Sequence, residues 1–141
     1  MQVFQVEQWM NNNVVTITKD RPVVDAADLM RKNSIGCVIV IDNDVPIGIV
    51  SERDIIRKVV AKRRDPSATV TEDIMSMNLI TVETNMEIKD VSQRMVQYNI
   101  KKIPVVRDGK LRGIITSTDI VRIMAQFNKL YDAKEIIELG G

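Results

Sequence analysis

Two similar octapeptides each place a hydroxyl three residues before a carboxylate. Residues 48–55 read GIVSERDI and residues 113–120 read GIITSTDI. Serine or threonine at this spacing from aspartate is typical of a capping box, in which the two side chains satisfy free backbone N–H groups at the start of a helix. A carboxylate has about four lone-pair sites, so it could also accept hydrogen bonds from both hydroxyls of a ribose. The two roles are compatible, and both remain open.

A helix that begins at each hydroxyl would add a second attraction. Its free backbone N–H groups and the positive end of its dipole suit a phosphate or another anion. Arg53 lies beside Asp54 in the first octapeptide, whereas hydroxyl side chains, Thr116, Ser117 and Thr118, precede the aspartate of the second. Arg53 is either a ligand contact or a solvated residue of a first helical turn.

The octapeptides belong to an internal duplication. Asp54 and Asp119 lie 65 residues apart, and the same offset pairs identical residues along most of the chain. One unit spans about residues 7–60 and the other about 72–125. We divide the chain into 1–65, the first repeat with an N-terminal helix and linker, and 66–141, the second repeat with a C-terminal helical tail.

Each repeat predicts the order strand, helix, strand, strand, helix. Apolar residues at three- and four-residue spacings indicate the first helix, for which Asp20 is a candidate N-cap. The turns DNDV and RDGK between the paired strands carry residues that hairpins favour. This order predicts an α+β fold in which each half covers an apolar sheet face of the other.

Composition excludes several classes of function. The formal charge of +1 gives no electrostatic reason to expect nucleic acid or an anionic membrane as a partner. The chain has no histidine and one cysteine, so we expect no metal site and no catalytic triad. A lone Cys37, the absence of a signal-peptide pattern and the absence of a long apolar run predict a cytoplasmic protein.

The two octapeptides, the segment IKKIPVV and the duplication resemble the tandem CBS-domain pair, named for cystathionine β-synthase. The resemblance covers nearly the whole chain. It implies two β-α-β-β-α repeats with pseudo-twofold symmetry, and two clefts between them that commonly bind adenosine-containing ligands. It also implies that the aspartates hold ribose, that the hydroxyls face phosphates, and that the pair forms a homodimer.

The same resemblance implies the members of each cleft, because the aspartate of one repeat faces strand segments of the other. The first cleft would contain Ser51, Arg53, Asp54, Ile80, Ile100, Lys101 and Lys102. The second would contain Val15, Ile35, Gly36, Cys37, Thr116, Thr118 and Asp119. The isoleucines would form apolar walls for a base.

The two clefts are expected to differ in charge. The first gathers cations and should hold a polyphosphate better. The second, uncharged apart from Asp119, would suit a ligand with little negative charge or stay empty. Neighbouring residues of a strand point to opposite faces, so at most one of Lys101 and Lys102 should reach the first cleft.

We therefore predict a regulatory module that binds AMP, ADP, ATP or S-adenosylmethionine and signals to a separate effector protein by a conformational change. The ligand is a regulator, and no cofactor is required. The alternative is a ligand-free, dimerising interaction scaffold. An enzyme is not expected, since the sequence has no phosphate-binding GxxxxGK[ST] loop, no glycine-rich dinucleotide loop and no paired acid and base.

Overall fold

Each repeat folds into a three-stranded sheet with two helices, in a computed structural model that describes residues 4–128. The first repeat contains β1 (Thr16–Thr18), α1 (Val23–Asn33), β2 (Cys37–Asp42), β3 (Val45–Ser51) and α2 (Glu52–Ile55), which continues as a π-helical turn, Ile56–Val60. The second contains β4 (Val82–Glu83), α3 (Ile88–Tyr98), β5 (Lys102–Arg107), β6 (Lys110–Thr116) and α4 (Ser117–Asn128). Short 3₁₀ turns, Val6–Gln8 and Thr71–Asp73, precede the two repeats. The predicted α+β fold and its element order are confirmed.

The two sheets have the same topology. In each, the first strand is parallel to the second and the second is antiparallel to the third. Both hairpins turn through two residues with positive φ, Asn43 and Asp44 in one and Asp108 and Gly109 in the other. Two such residues are what a type I′ turn needs to match the strand twist, so the predicted turns are the observed ones.

The segments that precede the repeats are exchanged between them. The Val6 N–H donates to the Met86 carbonyl over 2.8 Å, which joins the start of the chain to the second repeat. The Thr71 N–H donates to the Arg21 carbonyl over 2.8 Å, which joins the linker to the first. These two bonds are related by the repeat offset, so the exchange is reciprocal.

The two hydrophobic cores follow the same exchange. Val6 is fully buried in the core of the second repeat, beside Val82, Ile103 and Ile115. Ile74 is buried in the core of the first repeat. The division of the chain at residue 65 stays a prediction about sequence units, because neither core is built from one unit alone.

The exchange also determines where the first helix begins. The predicted cap, Asp20, is wrong: α1 begins at Val23 after Pro22, and no side chain caps it. The Val23 N–H instead donates to the Thr69 carbonyl over 2.8 Å, and the Val24 N–H to the Pro66 carbonyl over 3.0 Å. Backbone carbonyls of the exchanged segment thus satisfy N–H groups that a helix start leaves free.

The predicted C-terminal tail lies only partly within the described residues. Helix α4 runs to Asn128, and the rest of the tail, 129–141, lies outside them. Within residues 4–128 no helix combines the length and the apolarity needed to cross a bilayer.

Gly48 and Gly113 allow the exchanged segments to lie close to the third strands. A Cβ at Gly48 would lie 2.6 Å from the Met75 sulphur and 2.9 Å from the Ser76 carbonyl oxygen. A Cβ at Gly113 would lie 2.5 Å from the Met10 sulphur. Close packing therefore explains the repeated glycine, because a larger residue at either position would force the neighbouring atoms to move.

Gly48→Ala should lower the free energy of unfolding by about 1–3 kcal/mol, because the methyl group overpacks the contact with the exchanged segment. Gly36→Ala is the matched control, since its Cβ would have Glu52 Oε1 as nearest neighbour at an ordinary 3.5 Å. The free energy of unfolding of that variant should not fall, and it should rise by up to about 1 kcal/mol because the unfolded chain is less flexible. Urea unfolding measures both, and equal values for the two variants would contradict the explanation.

Val6→Ala tests the exchange itself. We expect a loss of about 2 kcal/mol in the free energy of unfolding, since the side chain is fully buried in the core of the second repeat. Val96→Ala removes the same two carbons at a site that is 83% exposed and should change the value by less than about 0.5 kcal/mol. A Val6→Ala protein as stable as the control would mean that the first residues do not pack there.

Candidate functional site

The first octapeptide forms a complete capping box at the start of α2. The Asp54 N–H donates to Ser51 Oγ over 3.1 Å, and Asp54 Oδ2 accepts from the Ser51 N–H and hydroxyl over 2.9 and 3.0 Å. The second carboxylate oxygen, Oδ1, lies 3.2 Å from Lys58 Nζ. The carboxylate is thus turned towards its own helix, with one oxygen occupied by the cap.

The second octapeptide repeats the arrangement at the start of α4. The Asp119 N–H donates to Thr116 Oγ1 over 3.1 Å, and Asp119 Oδ2 accepts from the Thr116 N–H over 2.9 Å. Its Oδ1 lies 3.7 Å from Arg122. The capping role is therefore present in both repeats, and it occupies Oδ2 of Asp54 with two hydrogen bonds and Oδ2 of Asp119 with one.

The first cleft is a cavity of about 510 Å³ at the junction of the two repeats. Five residues predicted for it lie together in its lining: Ser51, Arg53, Ile100, Lys101 and Lys102. Four others complete it: Gly36, Cys37, Ile49 and Glu52. Asp54 and Ile80 do not line this cavity.

The second cleft is smaller, about 150 Å³. Four residues predicted for it line the cavity: Val15, Ile35, Cys37 and Thr116. The remaining lining residues are Asn11, Asn13, Val14, Ile39, Lys102 and Ile114. Gly36 lines the first cleft instead, and Thr118 and Asp119 line neither.

The two clefts are related by the repeat offset. Their linings share four pairs of equivalent positions, which are Ile35 and Ile100, Cys37 and Lys102, Ile49 and Ile114, and Ser51 and Thr116. Cys37 and Lys102 line both clefts, and Lys102 Nζ lies 3.4 Å from Cys37 Sγ. Two equivalent residues in contact mark the pseudo-twofold axis, which passes between the clefts at this pair.

The predictions for the charged residues need three corrections. The second cleft is not free of cations, because Lys102 lines it as well as the first. The first cleft contains a carboxylate that the sequence did not indicate, that of Glu52, beside its three basic residues. Lys101 and Lys102 both line the first cleft, since Lys101 lies just before β5, where strand alternation does not yet apply.

Sequence reasoning missed four apolar residues of the cleft walls: Val14, Ile39, Ile49 and Ile114. Ile49 and Ile114 lie two residues before Ser51 and Thr116 on β3 and β6. Residues two apart on a strand share a face, so the alternation of the octapeptides contained the signal. Asn11 and Asn13 had no such signal, because they lie in the exchanged segment and the loop that follows it.

No group of three histidine, cysteine, aspartate or glutamate residues that could hold a metal ion occurs within residues 4–128.

A family model of the CBS domain matches residues 6–61 and again residues 70–126. Each match begins in the segment that is exchanged with the other repeat. Together the matches cover most of the chain.

Two curated relatives have comparable sequences. The CBS domain-containing protein YhcV of Bacillus subtilis is 32% identical over 82% of this chain and 81% of its own length. A protein of Methanopyrus kandleri is 38% identical over 87% of this chain. The match spans 64% of the Methanopyrus protein, so the chain covers less than two thirds of that relative.

A solved structure has the same fold. The CBS domain pair of protein MJ0100, in complex with 5′-methylthioadenosine and S-adenosyl-L-methionine, superposes with a TM-score of 0.75 at 28% identity, over 86% of this chain and 96% of its own. The duplicated sequence, the paired sheets and these likenesses agree. The chain belongs to the CBS domain family and is a tandem CBS pair, a regulatory module.

Proposed function

We propose that the chain binds an adenosine nucleotide or an adenosyl compound such as S-adenosylmethionine in the first cleft and signals occupancy to a separate effector protein. The observation that supports this most directly is the lining of that cleft. Apolar side chains from both repeats, Ile49 and Ile100, lie beside the basic side chains of Arg53, Lys101 and Lys102. A base and a phosphate need these two kinds of surroundings.

Size and charge both favour a nucleotide in this cleft. Its volume of about 510 Å³ falls within the range of about 300–1,000 Å³ that is usual for small-molecule sites. Three cationic side chains and one carboxylate, that of Glu52, line it. The excess of positive charge suits a ligand with one or more phosphates, which forms strong charge-assisted hydrogen bonds with arginine and lysine.

The likeness to the MJ0100 pair supports an adenosyl ligand in particular. That protein was crystallised with two adenosyl compounds. In our proposal the same class of ligand occupies this chain, with Ser51 beside the phosphates or their equivalent. Asp54 does not line the cavity, so in this proposal its contact with the ribose requires Oδ1 to leave Lys58, while Oδ2 remains in the capping box.

Signalling requires that the ligand prefer one conformation over another. The first cleft takes Ser51 from the first repeat and Ile100 from the second, so a ligand there contacts both sides of the junction. We propose that occupancy changes the angle between the repeats, and that an effector protein recognises the change. The chain acts as a sensor in this proposal and not as an enzyme.

The proposal includes a homodimer. The second helix of each repeat exposes large apolar side chains: Ile56 and Val60 are 60% and 65% exposed, and Val121 and Met124 are 62% and 59% exposed. Such patches on soluble proteins commonly mark interaction surfaces.

Sedimentation velocity tests the dimer and should give the mass of two chains. Val121→Glu should shift this mass towards that of one chain, whereas Val45→Glu, at a hairpin turn, should not. A Val121→Glu protein that remains dimeric would place the interface elsewhere.

Calorimetric titration with AMP, ADP, ATP and S-adenosylmethionine tests the ligand. At least one should bind, and at a hundredfold excess over its dissociation constant it should stabilise the fold by about 2.7 kcal/mol in a thermal-shift assay. Arg53→Gln should weaken AMP binding by about tenfold or more, because it removes a charge-assisted hydrogen bond to the phosphate. Asp54→Asn retains an oxygen for the cap, removes the carboxylate that pairs with Lys58, and should weaken every ligand that contains a ribose.

Arg57→Gln is the matched control for Arg53→Gln. Arg57 is exposed on the π-helical turn that continues α2 and does not line the cleft, so AMP binding should be unchanged. If none of the four ligands binds or stabilises the protein, the ligand-free scaffold is the better description. If the two arginine variants weaken AMP equally, the phosphate does not lie in the first cleft.

A further inference from the structure

We propose that Lys102 is shared by the two clefts, so that the chain holds an anionic ligand tightly in only one cleft at a time. The inference deepens the proposed function and rests on it. It concerns how the two clefts influence each other, and it makes Lys102 the residue that determines how many anions the pair accepts.

The position of Lys102 is the first observation. It is the repeat equivalent of Cys37, and the two residues meet at the pseudo-twofold axis, with Lys102 Nζ 3.4 Å from Cys37 Sγ. Both residues line both clefts. An exact duplicate would carry the same residue at both places, either two ammonium groups or none. This chain has one ammonium group for two clefts.

The partners of the ammonium group are the second observation. The Lys102 ammonium group donates a hydrogen bond to Cys37 Sγ, and a thiol is a weak acceptor. Among residues 4–128, no carboxylate forms an ion pair with Lys102. A lysine on a flexible four-carbon stem can therefore turn towards a phosphate in either cleft at little cost.

The remaining charges determine which cleft is filled first. Arg53 and Lys101 also line the first cleft, whereas Lys102 is the one charged residue in the lining of the second. An anion therefore binds first in the first cleft and draws Lys102 towards it. A second anion then meets an ammonium group that is already neutralised and a negative charge across the axis, both of which weaken its binding.

Stepwise titration of AMP into the full chain separates the two sites. In the wild type, the second AMP should bind at least about tenfold more weakly than the first; the small volume of the second cleft, about 150 Å³, contributes to this difference, so the Lys102 and Cys37 variants carry the test. Lys102→Gln should weaken the first step by about tenfold and leave the second within about twofold, because the second step never had the use of Lys102. Cys37→Lys gives each cleft an ammonium group and should strengthen the second step by about tenfold.

Lys110→Gln, in the exposed hairpin of the second repeat, is the charge-matched control and should change neither step. Circular dichroism and thermal unfolding verify that each variant is folded. Equal weakening of both steps by Lys102→Gln, or of neither, would overturn the shared role.

Pyrophosphate is the second probe, and it separates this inference from the proposed function. One pyrophosphate per wild-type chain, two per Cys37→Lys chain and weaker binding by Lys102→Gln would support the shared ammonium group even if AMP does not bind. If the wild type binds pyrophosphate but none of the four adenosine ligands, the adenosine ligand alone is overturned. If the wild type binds neither pyrophosphate nor any of the four, both proposals are overturned.

Discussion

The structure depends on a reciprocal exchange between two copies of one sequence. Each repeat sends a short segment into the core of the other, where Val6 and Ile74 are buried. Backbone hydrogen bonds fix both segments, and carbonyls of the exchanged residues complete the start of α1. Neither sheet has a finished core without the other repeat, so the junction is held by the same contacts that hold the fold. The two clefts lie at this junction, so the contacts of the exchanged segments also determine their geometry.

The repeated hydroxyl and aspartate have a structural role that does not depend on any ligand. In both repeats they close a capping box at the start of the second helix, and this places Ser51 and Thr116 in the linings of the two clefts. Asp54 is also linked through Lys58 to the Ile74 carbonyl of the exchanged segment, over 3.2 and 2.9 Å. A ligand that engages Asp54 Oδ1 would compete with Lys58, so the cap, the exchanged segment and the cleft are parts of one network.

The sequence predicted most of the fold because its information was local and present twice. The offset of 65 residues identified equivalent strands, hairpin turns and helices, and the structure confirms them. The failed cap at Asp20 and the unforeseen exchange have one cause: a periodic pattern does not indicate which of two similar cores a short apolar segment enters. Of the residues predicted for the clefts, those on β2, β3, β5, β6 and the segments beside these strands line the two cavities, whereas Asp54 and Asp119 face their own helices. The double role of Lys102 depends on the symmetry axis, which strand alternation within one repeat does not locate.

The exchange of segments also has a consequence for synthesis on the ribosome. Val6 is synthesised about a hundred residues before its core partners Ile103 and Ile115. The first repeat likewise waits for Ile74 before its core is closed. A nascent chain therefore holds the apolar side chain of Val6 without its final partners until the second repeat has been synthesised, and the two cores are completed together.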